Sequence, residues 1–443
     1  MSKPPAHAGA FAATALVVAS MVGTGVFTSL GYQLSGLPAA SGPQILALWI
    51  LGGVIALCGA FCYAEVAALL PKSGGEYHFL RSIYHPSLGF MAGMLSAFAG
   101  FTAPTAITAL AFGKYLHSAS PGIRTDLAAA GVILLGAAAH SVSTRTSARV
   151  QVVATSLKLL LITGFIVAAW LLPGKGDIRW ELEAGPDFAA LITPAFATCL
   201  LFVTYSYTGW NAAVYGLEEW HDPQRTVKRA LLWGTVVVAL LYVGLNASFL
   251  HAAPVKELKG QDAVGHIAAT SLFGEQKARI ISGFFAVGLF ASASALLWAG
   301  PRVLGAMGRH MQSLSFFTPR RDVPHLALGF QIVVALVLVF LFSGKRDRDQ
   351  EGLQQLMDMT QASLTVSTSL VVAGCMILRH RAPELPRPVK VPWYPLPPLI
   401  FLAMSTFIIV FSAIHEPALT LAGAGIAVFF AVIWFPLKRL RSK

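Results

Sequence analysis

The sequence predicts an all-α polytopic membrane protein of twelve transmembrane helices, in two five-helix units of opposite orientation followed by two further helices. Three observations predict it. Of 443 residues, 56% are hydrophobic and only 12% charged, where a soluble domain carries about 25% charged residues; the mean hydropathy is +0.67. Twelve apolar runs, near the ~20 residues a spanning helix needs, cover approximately 9–34, 43–70, 87–113, 125–141, 148–172, 189–217, 229–252, 279–308, 325–343, 353–378, 395–413 and 417–437. The first and sixth runs are both interrupted by small and polar residues, at the same ordinal place in two successive groups of five. An odd number of helices per group sends the second group into the membrane from the opposite side, which makes the two groups an inverted repeat.

In the first run, "MVGTGVFTSLG" (21–31) places Gly23, Thr24 and Gly25 where a helix is weakest. An opened backbone in hydrocarbon leaves each unpaired amide or carbonyl costing several kcal/mol. Either the break is a kink that eases helix packing, or its backbone groups serve a partner other than lipid. The second run ends near Glu65, read as an interfacial or loop-pairing charge, and leads into "PKSGGEYHFLRSIY" (71–84). There the spacing of Ser73 and Glu76 predicts a capping box opening a short helix. The fourth and ninth runs are short.

The fifth run carries Lys158 about 15 Å along its helix at ~1.5 Å per residue, near mid-bilayer. At that depth a lysine costs about 3 kcal/mol even on insertion scales and must find polar partners. The carbonyls of the first break and the hydroxyls of Ser292 and Ser294 on the eighth run are the candidates. Lys158 is either a permanently charged structural tie or a proton-exchanging coupling group.

In the sixth run, "YSYTGWNAAVYGLEEW" breaks at Thr208-Gly209-Trp210-Asn211. The half-helix starting near Gly25 presents free N–H groups and a positive dipole end, suited to a carboxylate. The half-helix ending near Tyr205–Tyr207 presents free carbonyls, which suit an ammonium together with those before Gly23. A zwitterion matches both. Glu218 and Glu219 are expected to pair with Arg225, Lys228 or Arg229. Asp358, near the end of the tenth run, is expected to be solvated, and Trp210 and Tyr32 are either pocket or packing aromatics.

The proline-rich, basic stretch 378–398 reads as a rigid connector. The expected organisation is a short cytoplasmic N-terminus (1–8), a first repeat (9–172), an extracellular loop (173–188), a second repeat (189–378), a cytoplasmic connector (379–394), and two helices with a cytoplasmic C-terminus (395–443). With cytoplasmic termini, 20 of the 32 Lys and Arg residues fall on the cytoplasmic side and 11 on the other, Lys158 belonging to neither. That asymmetry supports the orientation and a multi-pass location in the cytoplasmic membrane.

The net charge of +12 is spread over short loops, which speaks against a nucleic-acid partner. All four cysteines lie in apolar runs, so neither a disulfide framework nor a disulfide-linked subunit is expected. No His/Cys spacing suits a metal, no cofactor is indicated, and no constellation of nucleophile and base suggests an enzyme.

Four stretches, "MVGTGVF", "YAEVAALLPKSGGEYHFLR", "YTGWNAAVYGLEEWHDPQR" and "LRHRAPELPRPVKVPWYP", together resemble a bacterial member of the amino acid–polyamine–organocation superfamily, and within it the L-type amino acid transporters. The resemblance implies a five-plus-five core with two added helices, working by alternating access. It implies that backbone around Thr24, Gly25 and Val26 holds a substrate's carboxylate, and that carbonyls near Val22, Tyr205 and Ser206 hold its amine. Gly23, Thr208 and Gly209 complete the expected binding set, with Thr208 where a glycine is common and Tyr205 where a gating Phe is usual. Lys158, Ser292, Ser294, Tyr205 and Trp210 form the expected gating and coupling set. The resemblance further implies independence from sodium, many L-type relatives having a lysine in the fifth helix. With no carboxylate evident near mid-bilayer, a neutral amino acid is the economical substrate, taken up by exchange or with protons. The alternatives are a carrier of cationic amino acids or polyamines, or an amino acid sensor that transports nothing.

Overall fold

The computed structural model describes residues 9–181, 193–261, 263–319, 323–343, 346–415 and 417–439. Helices, joined by turns and loops, make up the described chain, and no β-sheet occurs among these residues. Among the described residues, nine helical stretches are long and apolar enough to cross a membrane. The side chain of Asp358 and residues 182–192 lie outside the described set.

The first run is two helices, α1 (Ala10–Met21) and α2 (Gly25–Gly36). The second is α3 (Gly42–Leu69), opened by a capping box between Ser41 and Gln44 with Pro43 in its first turn. A short helix, α4 (Glu76–Ile83), lies between the second and third runs. The third run is one bent span, α5 (Pro86–Leu95), a π-helical segment Ser96–Thr102 and α6 (Ala103–Ala119). Pro104, lacking an N–H, follows the wide turn, and Thr102 Oγ1 donates to Ala97 O across it at 2.6 Å. That turn carries Phe101 onto the wall of a central cavity.

Next come α7 (Thr125–Ser141) and α8 (Thr144–Trp170). The sixth run is α9 (Pro194–Tyr207), a break, and the 3₁₀ segment Ala212–Glu219. The chain continues through α10 (Pro223–Ala252), two loop helices α11 (Val255–Leu258) and α12 (Val264–Phe273), and α13 (Glu275–Gly308). A 3₁₀ segment (Gln312–Phe317), α14 (His325–Phe342), α15 (Arg346–Arg381), α16 (Leu396–His415) and α17 (Pro417–Arg439) complete it. The run boundaries read from hydropathy lie within seven residues of the helix ends described; α11 and α12 had no counterpart there.

The broken helices sit at the centre, their apolar residues in one continuous core with α3, α10 and α13. Large aliphatic side chains such as Leu135, Leu160, Leu240 and Leu341 point outward and are more than half exposed, as a lipid-facing surface requires.

The connector after α15 is pinned to α3. Glu65, wholly buried, accepts from Arg379 Nε at 2.8 Å and Nη2 at 2.5 Å and from the Val391 N–H at 2.8 Å, with Arg387 Nε 3.4 Å away. Arg387 also donates to the Leu378 and Ala382 carbonyls, closing the end of α15. Glu65 is thus the loop-pairing charge anticipated. The four cysteines are buried and unbridged.

Candidate functional site

The two breaks abut. After Met21 the chain makes a tight turn, with the Gly23 N–H on Met21 O at 2.7 Å, and α2 opens with the Phe27 N–H on Thr24 O at 2.9 Å. Between these bonds the N–H groups of Thr24, Gly25 and Val26 have no backbone acceptor among the described residues. In the second break Thr208 leaves the helix at ψ 142° and Gly209 takes φ +101°, a conformation L side chains rarely adopt. A Cβ on Gly25 would meet Ser206 Oγ at 2.4 Å and its Cα at 2.7 Å; one on Gly209 would meet Ser20 C and O at 2.8 Å. These glycines therefore let one broken helix touch the other. Beside Gly23 there is more space, the nearest atom to a Cβ there being Met21 O at 3.8 Å.

One cavity is lined by both breaks: Ser20, Gly23, Thr24 and Gly25 from the first, and Tyr205, Ser206, Thr208 and Gly209 from the second. Ser20 Oγ is buried there with no hydrogen-bond partner among the described residues, an unusual state for a buried hydroxyl. Trp210 also lines the cavity, edge-on to Tyr63 at 4.6 Å. Tyr32 does not line it, and stacks on Phe202 at 5.2 Å. Val22 and Val26 are buried behind the wall.

Lys158 is 1% exposed. Its Nζ donates to Val22 O at 2.6 Å, to Ser292 Oγ at 2.6 Å and to Ala19 O at 3.4 Å, three acceptors for the three N–H bonds of an ammonium. Ser292 Oγ in turn donates to Val22 O at 2.5 Å. Both lone pairs of the Val22 carbonyl are thereby occupied. Ser294 is corrected as a lysine partner. Two residues from Ser292 on a helix, it points to the other side and meets His140 Nε2 at 2.7 Å and Gln151 Oε1 at 3.2 Å.

Three further groups were invisible as site residues in the sequence. The Tyr242 hydroxyl, on α10, stands between Met21 O at 2.6 Å and Ser206 O at 2.7 Å, one carbonyl from each broken helix. Gln361, on α15, lines the cavity and accepts from Thr208 Oγ1 at 2.9 Å. Glu76 is the third. The expected capping box is not formed: positive φ at Gly74 and Gly75 makes Gly75 the N-cap, so Glu76 is the first helical residue rather than the third. Ser73 Oγ accepts instead from the Glu218 N–H at 3.0 Å.

The Glu76 carboxylate, 1% exposed, turns inward. It accepts from Tyr63 Oη at 2.9 Å, Asn211 Nδ2 at 2.5 Å, Ser96 Oγ at 3.4 Å and the Tyr215 hydroxyl, with no cation within ion-pair distance among the described residues. Four donors fill an acceptor-only carboxylate. Asn211 and Tyr215 line the cavity, so a buried carboxylate stands one residue behind its wall. Because the Asn211 NH₂ serves Glu76 and lies 3.5 Å from Tyr215 Oη, its amide oxygen is directed away from both.

Beyond the second break, Glu219 is held by Arg302 through two bonds of 2.7 and 3.0 Å, and Glu218 lies 3.5 Å from Arg309. The partners expected within a few residues were the wrong ones: these pairs tie the 3₁₀ segment to α13 and to the chain just after it. Arg302 also stacks 3.7 Å over the Trp298 ring.

The fold and the cavity define a polytopic membrane protein whose central site is built from two helix breaks. The family model described as amino acid permease matches residues 9–436, and the chain belongs to that family, within the amino acid–polyamine–organocation superfamily. Its relatives include the mouse large neutral amino acids transporter small subunit 2, 28% identical over 96% of this chain and 81% of the relative. The human b(0,+)-type amino acid transporter 1 is 27% identical over 92% of this chain and 83% of the relative. The mouse Asc-type amino acid transporter 1 is 27% identical over 96% and 81%. These are permeases and not enzymes.

Proposed function

We propose that the protein is a secondary transporter of neutral amino acids across the cytoplasmic membrane, independent of sodium, working by exchange or with protons through alternating access. The observation that carries this reading is the juxtaposition of the two breaks around one cavity. A zwitterion's carboxylate fits the unpaired N–H groups of Thr24, Gly25 and Val26 and the bare Ser20 hydroxyl, at the positive end of α2. Its ammonium fits the carbonyl end of α9 near Tyr205 and Ser206, with Thr208 and Gly209 shaping the space for the side chain and Tyr205 and Trp210 closing over it. Lys158 occupies the place a sodium ion would need, tying α1 and α13 through Val22 and Ser292.

In this reading the bundle has twelve spans, with the nine clear ones joined by α7, the broken α9 and α15. The five-plus-five inverted repeat, the domain boundaries stated above and the cytoplasmic termini go with it, supported by the breaks in the first and sixth runs and by the basic-residue asymmetry. A subunit linked by a disulfide is not required, since every cysteine is buried.

Uptake of a panel of radiolabelled amino acids into proteoliposomes, under imposed sodium or pH gradients and with or without internal amino acid, tests the proposal. Saturable uptake of neutral amino acids, unaffected by sodium, is expected; its absence for all of them overturns the reading. One observation favours a second substrate class. Glu76, behind Asn211 and Tyr215, is the carboxylate the sequence did not show near the cavity, and it favours a cationic side chain. Lysine, arginine and a polyamine therefore belong in the same panel.

A further inference from the structure

A second pocket lies at the end of the bundle, away from the breaks, where α4, the 3₁₀ segment after α13 and the end of α17 meet. Arg81 reaches it from α4, His310 from the turn between α13 and the 3₁₀ segment and Lys438 from α17, and no carboxylate lines it. Glu218 is engaged with Arg309 at 3.5 Å. Bringing like charges together without a counter-charge is unfavourable. Burial first, then Arg81, holds His310 below the usual histidine range, and burial first, then Lys72, pushes His78 on α4 down to about 4.

Two polar groups complete the pocket. Gln312 is exposed at its edge, and Ser313 Oγ is buried with no hydrogen-bond partner among the described residues. His310 Nδ1 is committed to Ala306 O at 3.0 Å, which leaves Nε2 as the ring nitrogen free of that bond. One wall is aromatic, formed by Tyr77 and by Trp434, whose ring carries Lys438 Nζ 5.0 Å above it. Lys438 ends the span Thr420–Lys438, in which Val432 and Phe435 are 58% and 53% exposed, as on a lipid-facing surface. The pocket is therefore at the depth where hydrocarbon gives way to headgroups.

We propose that this pocket binds a phosphate-bearing anion, supplied in the membrane by the headgroup of an anionic phospholipid. Basic pockets between spans at the membrane surface suit such headgroups, with each Lys or Arg worth about a fivefold gain in binding. The phosphate oxygens would take the Arg81 and Lys438 charges and the Ser313 hydroxyl, and the acyl chains would follow the exposed face of α17.

Native mass spectrometry of the purified full-length protein with phosphatidylglycerol, phosphatidylcholine or inorganic phosphate tests this. Preferential retention of phosphatidylglycerol over phosphatidylcholine is expected. Lys438→Ala should weaken retention about fivefold, and Arg81→Ala with Lys438→Ala on the order of 25-fold. Arg225→Ala, an exposed basic residue elsewhere, should leave it unchanged. Binding of inorganic phosphate alone, lost in the same variants, would assign the site to a soluble phosphate. Equal retention of the two lipids with no phosphate bound overturns the proposal. So does undiminished binding in the single Lys438→Ala variant, whose exposed side chain makes it the one expected to stay folded should the double variant fail.

Discussion

Gly25 and Ser206 touch across the centre of the molecule: a Cβ on the glycine would fall 2.4 Å from the serine Oγ and 2.7 Å from its Cα. Since backbone as well as side chain is in the way, trimming the serine does not make room. Gly25→Val should lower uptake more than tenfold in protein that still purifies as a monodisperse species, and Ser206→Gly in the same chain should not restore it. Saturation kinetics in proteoliposomes decide this; a Gly25→Val protein with unchanged apparent affinity would show the contact to be dispensable.

Lys158→Met keeps the bulk of the side chain and removes its three donors. The Val22 carbonyl then keeps only its bond from Ser292, and the Ala19 carbonyl loses its ammonium partner in a buried site, at about 1–3 kcal/mol for a group left bare. Uptake should be abolished, with a fall in thermal stability. If the lysine exchanges a proton during the cycle, Lys158→Gln should retain counter-exchange but lose its response to an imposed pH gradient. A purely structural lysine predicts that both fail together.

Glu76→Gln places an NH₂ among four groups that all donate to the carboxylate, so at least one donor faces another. The expected result is an apparent substrate affinity weakened roughly tenfold, about 1.4 kcal/mol, because Asn211 and Tyr215 on the cavity wall lose their common anchor. Glu218→Gln, which alters an exposed pair, should change affinity less than twofold. Isothermal titration or scintillation proximity binding separates the two.

Removal of Glu65 should act on stability rather than on binding. Glu65→Ala leaves Arg379 and Arg387 unpaired in a largely buried site, at a cost of about 3–5 kcal/mol. Arg309→Ala, which opens a surface pair, should cost about 1 kcal/mol or less. Thermal unfolding in detergent reads both.

Acid should loosen the end of the bundle around α4. His78 is held down to about 4, chiefly by burial, against 6.5 when unfolded. The unfolded chain therefore binds the proton first, and stability is lost as the pH falls from about 6.5 towards about 4. His78→Gln should flatten the dependence of the melting temperature on pH in that window; an unchanged slope would assign the loss to other groups.

What the sequence revealed was whatever violated an apolar run. Gly23, Thr24 and Gly25, the Thr208–Asn211 interruption and Lys158 each stood out because hydrocarbon tolerates none of them without a partner, and Ser292 was one of the two hydroxyls on the eighth run offered to the lysine. Partners fixed by three-dimensional proximity were not legible. Tyr242 meets Met21 from 221 residues away, and a tyrosine in an apolar run gives no warning of that. For Glu218 and Glu219 the nearest basic residues in sequence were the natural guess, yet the turn at Asp222, with its φ of 45°, separates them and α13 supplies the arginines. Glu76 had the spacing of a cap, but two glycines with positive φ shifted the helix start and freed its side chain for the interior.

Tyr242 owns a single hydroxyl hydrogen and stands between two carbonyl oxygens. Met21 O already receives the Gly23 N–H, whereas Ser206 O, at the end of α9, depends on the tyrosine. Each carbonyl is within reach of that hydrogen, Met21 O at 2.6 Å and Ser206 O at 2.7 Å, and it serves only one of them fully at a time. The hydroxyl therefore joins α10 by one full hydrogen bond to the tip of α1 or to the end of α9, and passing the hydrogen between the two carbonyls changes which broken helix α10 holds.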